Sequence, residues 1–257
     1  MRSQAALAFL WTGDAALFAF RVVRDAFRAP WEVVEITRQI FELGWRSLPL
    51  IAAAGFAVGA VMSMHTRASL ERFGAEALIP AGLALALFKE TGPLVTGLLF
   101  AGRVGAGIGA ELGAMRVTEQ IDALESLAVD SFKYLVVTRV AACVLVLPIL
   151  TTVMNFTGIA GGFIAETAVS GMSFALYWER AWSLVNYADY IPATLKTCVF
   201  GFLIGSVSSF LGYTTTGGTA GVGQASTRSV VITSILLIVS NVVLVKAIFF
   251  LLPAAQR

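Results

Sequence analysis

Long apolar stretches decide what this chain of 257 residues can fold into. A helix needs about 20 mostly apolar residues to cross the hydrocarbon core of a bilayer. Four stretches meet that requirement almost without charge: residues 47–64, 134–165, 191–212 and 229–252. A fifth stretch, residues 77–101, is apolar except for Lys89 and Glu90 at its centre. The sequence therefore predicts an all-α membrane protein with five transmembrane helices.

The first 46 residues do not contain a sixth span. Residues 15–28 carry basic and apolar side chains on separate helical faces, which is typical of a helix that lies in the membrane interface. The polar face holds Arg21, Arg24, Asp25 and Arg28, and the apolar face holds Ala16, Phe20, Val23 and Phe27. A second such helix is predicted after Pro30, and a solvated helix without lipid contact is the alternative. We thus predict one transmembrane domain over 1–257, with interfacial or cytoplasmic helices in 1–46 and a bundle in 47–252.

The distribution of positive charge predicts the orientation of this bundle. With five spans, the N-terminus and the loops 102–133 and 213–228 lie on one side, which holds eleven Lys and Arg residues counted out to Arg139. The opposite side holds four: Arg67, Arg72, Arg180 and Arg257. Because cytoplasmic loops are enriched in Lys and Arg, we expect a multi-pass protein whose N-terminus is cytoplasmic.

Composition and missing motifs exclude several classes of function. Of all residues, 58% are apolar and 13% charged, whereas soluble domains have roughly half and a quarter. None of the four lysines follows a glycine, so no P-loop is present for ATP hydrolysis. The single histidine, His65, and the scattered Cys143 and Cys198 predict no metal site and no cofactor in this chain. A net charge of +2 predicts no nucleic-acid partner.

The adjacent charges Lys89 and Glu90 are the strongest functional signal. A charge in the middle of a membrane span costs a few kcal/mol even on insertion scales, so it is rarely incidental. Pro93 removes the backbone hydrogen bond to the carbonyl of Lys89, which predicts a kink or break in the helix. We predict that the pair lines a substrate cavity; an ion pair that fastens two spans is the alternative. Arg228 and Lys246 are the candidate cations for Glu90.

Small residues at every fourth position form a ridge along one stretch. The ridge consists of Gly97, Ala101, Gly105, Gly109 and Gly113. Such a stripe lets helix backbones approach closely. The ridge therefore predicts tight packing, either on other spans of the chain or on a second copy.

Residues 116–130 predict a short amphipathic helix between the second and third spans. Thr118 is the expected N-cap. An apolar stripe contains Ile121, Leu124 and Leu127, and an acidic stripe contains Glu119, Asp122 and Glu125. Such a helix fits a groove on a partner protein. An interfacial helix on lipid is the alternative, which the acidic stripe disfavours on an anionic leaflet.

These segments resemble the MlaE (YrbE) permease family of lipid-transporting ABC systems. The resemblance extends over about residues 30–252 and is most specific in FKETGPLV (88–95), LLFAGRVGA (98–106) and AELGAMRVTEQIDALE (110–125). The family usually has an Arg-Glu or similar pair where this chain has Lys89 and Glu90. The charge is thus kept, but the bidentate geometry of arginine is not.

The resemblance implies a transporter subunit of the bacterial inner membrane, without enzymatic activity of its own. Such permeases are homodimers, with a lipid cavity between the protomers that Lys89 and Glu90 would face. A separate cytoplasmic ATPase binds ATP and receives a coupling helix, which maps to about Met115–Ala128 and includes Arg116. An MCE-domain protein receives or delivers the lipid. The open alternatives are a proton-coupled secondary transporter with Glu90 as its relay, and a scaffold of an MCE complex that transports nothing.

Overall fold

The computed structural model describes residues 4–29 and 31–251, and within them every regular element is helical. The predicted end of the bundle at residue 252 and Pro30, after which a second helix was expected, lie outside this part. The α-helices are α1 (Gln4–Ala26), α2 (Val33–Leu70), α3 (Ile79–Ala86), α4 (Gly92–Phe100), α5 (Ala106–Val117), α6 (Gln120–Ser126), α7 (Thr138–Ser170), α8 (Phe174–Trp182), α9 (Tyr187–Tyr213) and α10 (Gly218–Leu251).

Five helical segments of the described chain are long and apolar enough to cross a membrane. They are Val33–Phe73, Glu76–Val117, Phe132–Ser170, Tyr187–Tyr213 and Gly218–Ile248. The predicted all-α membrane protein with five spans is therefore confirmed. One boundary differs, because α2 runs without interruption from Val33 through Pro49, and no separate interfacial helix ends near residue 46. Proline is tolerated inside a membrane helix when its surroundings satisfy the freed backbone group.

The second span contains two π-helical turns, Leu87–Thr91 and Ala101–Gly105, that join α3, α4 and α5. Pro93 was predicted to kink or break this helix. The helix does not break there, because the chain remains helical and the N–H of Gly92 bonds the carbonyl of Leu87, five residues back. A kink at this point stays a prediction. A π-helical turn accommodates one extra residue in the helix and is frequent at functional sites. A third π-helical turn, Phe132–Val137, leads into α7.

The described residues form two compact units. The first unit draws on 1–43, 100–146 and 200–237, and the second on 44–99, 147–199 and 238–257. The single permease domain over 1–257 stays a prediction. Each unit has an apolar core of its own.

The core of the first unit holds α1 against the π-helical turn Phe132–Val137. Val22 is buried with Phe132 and Val136, and the Phe18 ring meets Phe132 edge-on at 5.0 Å. The apolar stripe predicted for α1 lies on a different face, since Phe20 and Phe27 are exposed. Its contact with lipid stays a prediction.

The core of the second unit packs α3 and α8 together. Leu83, Leu87 and Tyr177 are fully buried in it. Glycine allows an unusually close approach at Gly59, because a side chain there would overlap the backbone of Gly158. This unit also contains the candidate site.

Candidate substrate site

Five polar side chains form a bonded cluster inside the second unit. Lys89 Nζ lies 2.8 Å from Asp189 Oδ1, and Lys196 Nζ lies 2.9 Å from Glu90 Oε2. Asn241 Nδ2 donates to the other oxygen of Glu90, Oε1. The cluster thus joins the π-helical turn Leu87–Thr91 to α9 through two ion pairs and to α10 through an amide.

The backbone carbonyl of Lys89 is part of the same cluster. In α-helical register this oxygen would accept the N–H four residues later, and Pro93 at that position has none. Lys196 Nζ takes the place of the missing donor at 2.9 Å from the Lys89 oxygen. Lys196 therefore donates hydrogen bonds both to the carboxylate of Glu90 and to the backbone oxygen left free at the π-helical turn.

Burial divides the cluster into an inner and an outer part. The side chains of Lys196 and Asp189 are 2% and 7% exposed, whereas those of Glu90 and Lys89 are 44% and 34% exposed. Two cations and two carboxylates neutralise one another, which a low-dielectric environment demands of buried charges. The predicted alternative, ion pairs that fasten spans together, is what the geometry shows inside one chain. The exposed part of Glu90 and Lys89 leaves them available to a ligand.

A small cleft of about 50 Å³ adjoins the cluster. Its walls are Lys89, Glu90, Ala188, Asp189, Ala193, Lys196, Val245 and Ile248. This volume admits a few water molecules at most and no acyl chain. Within a single chain the cluster therefore does not enclose a lipid.

Neither cation proposed from the sequence is bonded to Glu90. Arg228 is exposed in the first unit and lines another cavity with Trp11 and Gln224, and Lys246 is exposed on α10. The partner is Lys196, a residue that the sequence analysis did not single out. Its spacing of seven residues from Asp189 places both on one helical face, and that signal could have found it.

Comparison with known proteins agrees with the motifs of the second span. A family model described as "Permease MlaE" matches residues 36–247. A probable ABC transporter permease protein of Rickettsia conorii is 38% identical over 237 residues, 92% of each chain. The intermembrane phospholipid transport system permease protein MlaE of Haemophilus influenzae is 32% identical over 215 residues, 83% of this chain and 82% of its own.

The chain belongs to the MlaE permease family. The resemblance inferred from the motifs is thereby confirmed. A similar protein also occurs outside the bacteria. The chloroplastic TRIGALACTOSYLDIACYLGLYCEROL 1 protein of Arabidopsis thaliana is 32% identical over 243 residues, 94% of this chain and 69% of its own.

The predicted coupling segment of this MlaE-family chain contains the short helix α6. Thr118 was expected to be its N-cap, but Thr118 closes α5 instead. Its N–H and its Oγ1, at 3.0 and 2.9 Å, both bond the carbonyl of Ala114. Glu119 precedes α6 in a left-handed conformation, with φ of 59°, and makes no side-chain capping bond. Only Thr118 and Glu119 separate the end of α5 from the start of α6. One of these two residues must therefore leave the helical region of φ and ψ.

The residues of the apolar stripe in this segment differ in their exposure. Ile121 is buried in its own chain, so it is not available to a partner. Leu124 and Met115 are half-buried, and Leu127 is 74% exposed. Only the last part of the stripe therefore offers a free apolar surface.

Two of the three acidic side chains are bonded within the chain. Asp122 Oδ1 pairs with Arg116 at 2.6 Å. Glu125 Oε1 accepts hydrogen bonds from Ser131 Oγ at 2.7 Å and Tyr213 OH at 3.2 Å. These bonds, that from Ser131 above all, lower the pKa of Glu125. The carboxylate thus holds the segment in place from its C-terminal side.

The glycine ridge of the second span is buried within its own chain. All five residues, Gly97, Ala101, Gly105, Gly109 and Gly113, are buried. A Cβ on Gly109 would lie 2.5 Å from Ser229 Oγ, and one on Gly105 would lie 3.0 Å from Ser208 Oγ. Of the two interpretations left open by the sequence, the structure therefore shows packing on the chain's own α9 and α10.

Proposed function

We propose that this MlaE-family chain is the membrane-spanning subunit of an ABC transporter that moves phospholipid. The observation that carries the proposal is the paired charge cluster around Glu90 and Lys196, placed at a π-helical turn inside an apolar span. The names of relatives support both the permease role and the phospholipid. Two copies form the transporter, because the cluster of one chain does not enclose a lipid.

The cluster works as a polar latch. Glu90 has one oxygen on Lys196 of α9 and the other on Asn241 of α10. A shift of either helix would break one bond and keep the other, which gives two discrete arrangements. Lys89 is partly exposed and attracts the phosphate of a lipid. Glu90 repels that phosphate, so its role is to couple the position of the helices to the state of the site.

A separate cytoplasmic ATPase binds ATP and drives the latch through the segment 115–128. The N-terminus is cytoplasmic in this arrangement, in the bacterial inner membrane. An MCE-domain protein on the opposite face receives or delivers the lipid. Neither a nucleic acid nor a cofactor of this chain takes part.

Reconstitution tests this proposal. The permease and its ATPase are placed in vesicles with a fluorescent phospholipid, and lipid transfer is followed with ATP, without ATP, and with an ionophore that collapses the proton gradient. We expect transfer that needs ATP and survives the ionophore. Transfer that needs the proton gradient would instead identify a secondary transporter, and transfer no faster than in vesicles without the permease would leave a scaffold.

The coupling role of segment 115–128 makes a separate prediction for Leu127. Its exposed side chain is the part of the apolar stripe that a partner groove can cover, whereas the half-buried Leu124 is needed in its own chain. Leu127→Asp should lower retention of the ATPase during purification at least about tenfold, because loss of an interface anchor typically costs ~2 kcal/mol or more. Membrane insertion should be normal.

The matched control is Leu184→Asp, which places the same charge on another exposed leucine outside the spans. This control should retain the ATPase as the unmodified protein does. Equal retention by Leu127→Asp would show that the ATPase docks on a different surface.

A further inference from the structure

Two cavities adjoin each other in the first unit. The larger, about 540 Å³, lies between the C-terminal half of α1 and the loop before the third span. It is polar and has four basic residues on its walls: Arg21, Arg24, Arg28 and Lys133. The smaller, about 330 Å³, is an apolar groove. Its apolar walls include Phe27, Trp31, Val33, Ile36, Val137 and Ala141.

The polar cavity and the apolar groove share one wall. Asp25, Glu32 and Lys133 line both. A polar chamber that opens beside an apolar groove is complementary to an amphiphile, with a charged group in one part and a hydrocarbon chain in the other. Each volume is in the range of about 300–1,000 Å³ that is typical of small-molecule sites.

The charges of the polar cavity are only partly neutralised. Asp25 accepts hydrogen bonds from Arg24 at 2.9 Å and Arg21 at 3.4 Å, and the bond from Arg24 is the main reason for the lowered pKa of Asp25. One carboxylate thus binds two arginines, and these three side chains keep one net positive charge.

Arg28 and Lys133 have no such carboxylate partner. Lys133 Nζ donates to the backbone carbonyl of Arg28, a neutral group. The guanidinium of Arg28 is bonded to no carboxylate among residues 4–29 and 31–251. Asp130 accepts the backbone N–H of Lys133, and Glu32 lies on the wall shared with the groove. The cavity thus has four cations against three carboxylates, and an anion is the ligand that would balance it.

The apolar groove, in turn, has large apolar side chains that the described chain leaves exposed. Phe27 and Trp31 are 81% and 65% exposed, and they flank the connection between α1 and the first span. Removing a large apolar side chain from water is favourable, so such a surface favours an apolar occupant. Tryptophan at this position is typical of the membrane–water interface, where lipid is the available occupant.

We propose that these cavities together bind one anionic phospholipid. Its phosphate lies against Arg28 and Lys133, and one acyl chain lies in the groove along Phe27 and Trp31. This lipid contacts residues of the first unit only, and none of them belongs to the cluster around Glu90. The inference does not depend on the proposed transport function.

Native mass spectrometry of the full-length permease tests the charge part of this site. The protein is purified in detergent, stripped of lipid, and titrated with phosphatidylglycerol or with zwitterionic phosphatidylcholine. We expect one phosphatidylglycerol per chain at concentrations where phosphatidylcholine is not retained. Arg28→Gln/Lys133→Gln should weaken this binding roughly ten- to thirtyfold, as expected for the loss of two cations near the membrane surface.

The matched control removes two charges from exposed arginines elsewhere, in Arg46→Gln/Arg72→Gln. It should bind phosphatidylglycerol as the unmodified protein does. Equal weakening in both double variants would show a general effect of charge and overturn the site. Unchanged binding in Arg28→Gln/Lys133→Gln, or equal retention of both lipids, would also overturn it.

Fluorescence distinguishes a lipid from free phosphate. Phosphatidylglycerol with brominated acyl chains should quench tryptophan emission, and the quenched part should disappear in Trp31→Phe, a change that leaves the charges intact. Inorganic phosphate should neither quench this emission nor displace the lipid. Displacement by millimolar phosphate without any quenching at Trp31 would assign the cavity to free phosphate and refute the lipid site.

Discussion

Glu90→Lys is expected to abolish transport and to lower the amount of folded permease. Glu90 is the bonded partner of Lys196, which is almost fully buried. The substitution places a third cation beside Lys89 and Lys196, with Asp189 as the remaining carboxylate of the cluster. Breaking a buried ion pair costs about 3–5 kcal/mol, and the partial exposure of Glu90 places the expected loss near the lower end of that range.

The exchanged pair, Glu90→Lys/Lys196→Glu, is the matched control. It keeps the number and sign of the charges and reverses only their positions. We expect it to recover most of the folded protein that Glu90→Lys loses, as measured by detergent-solubilised yield and thermal unfolding. No recovery would mean that the pairing of Glu90 with Lys196 contributes nothing to the fold.

Glu90→Gln tests the role of the latch in coupling while the protein still folds. The amide keeps the size of the side chain and an acceptor oxygen but removes the charge, so Lys196 keeps its bond to the carbonyl of Lys89 and loses its ion pair. We expect this variant to fold and to bind lipid, but to hydrolyse ATP without moving lipid in reconstituted vesicles. Coupled transport at the level of the unmodified protein would show that the charge of Glu90 is not needed and that its side chain only packs.

Gly109→Leu is expected to prevent normal assembly of the helices in the first unit. A Cβ at this position already lies 2.5 Å from Ser229 Oγ and 3.2 Å from the backbone oxygen of Ala225. A leucine therefore has to push α10 away, and overpacking of this kind typically costs ~1–3 kcal/mol. A lower midpoint of thermal unfolding in detergent and loss of transport should both follow.

Gly107→Leu is the control on the same helix, two residues away. A Cβ there meets no atom within 4 Å, so the same added volume should leave the unfolding midpoint unchanged. If Gly109→Leu unfolds at the same temperature as Gly107→Leu, the ridge does not pack as described.

Helices and their number could be read from the sequence because a bilayer imposes a local requirement. A stretch such as 191–212 must be apolar over its whole length and must satisfy its own backbone, and both properties are visible in consecutive residues. The small residues of the ridge are equally local, since their spacing of four follows from the period of the helix. Family membership followed from the motif around residues 88–125, which is continuous in the sequence.

The side-chain contacts between distant segments of the chain could not be predicted in this way. The choice of Lys196 for Glu90, instead of Arg228 or Lys246, depends on which face of α9 meets the π-helical turn, and hydropathy carries no such information. Ile121 and Leu127 are alike in the sequence, yet one is buried and the other exposed because of what lies beside α6. Thr118 has the chemistry of an N-cap but closes the preceding helix, since α5 extends further than its composition indicates.

The sequence by itself therefore determined the class of fold, the five spans and the family, because each depends on properties of neighbouring residues. Only the tertiary structure decided that the charges at Lys89 and Glu90 are paired with Asp189 and Lys196, more than ninety residues away. The physical reason is that a buried charge must be neutralised somewhere in the apolar span, but Coulomb attraction acts through space and does not specify which residue supplies the partner. Packing of α9 and α10 makes that choice.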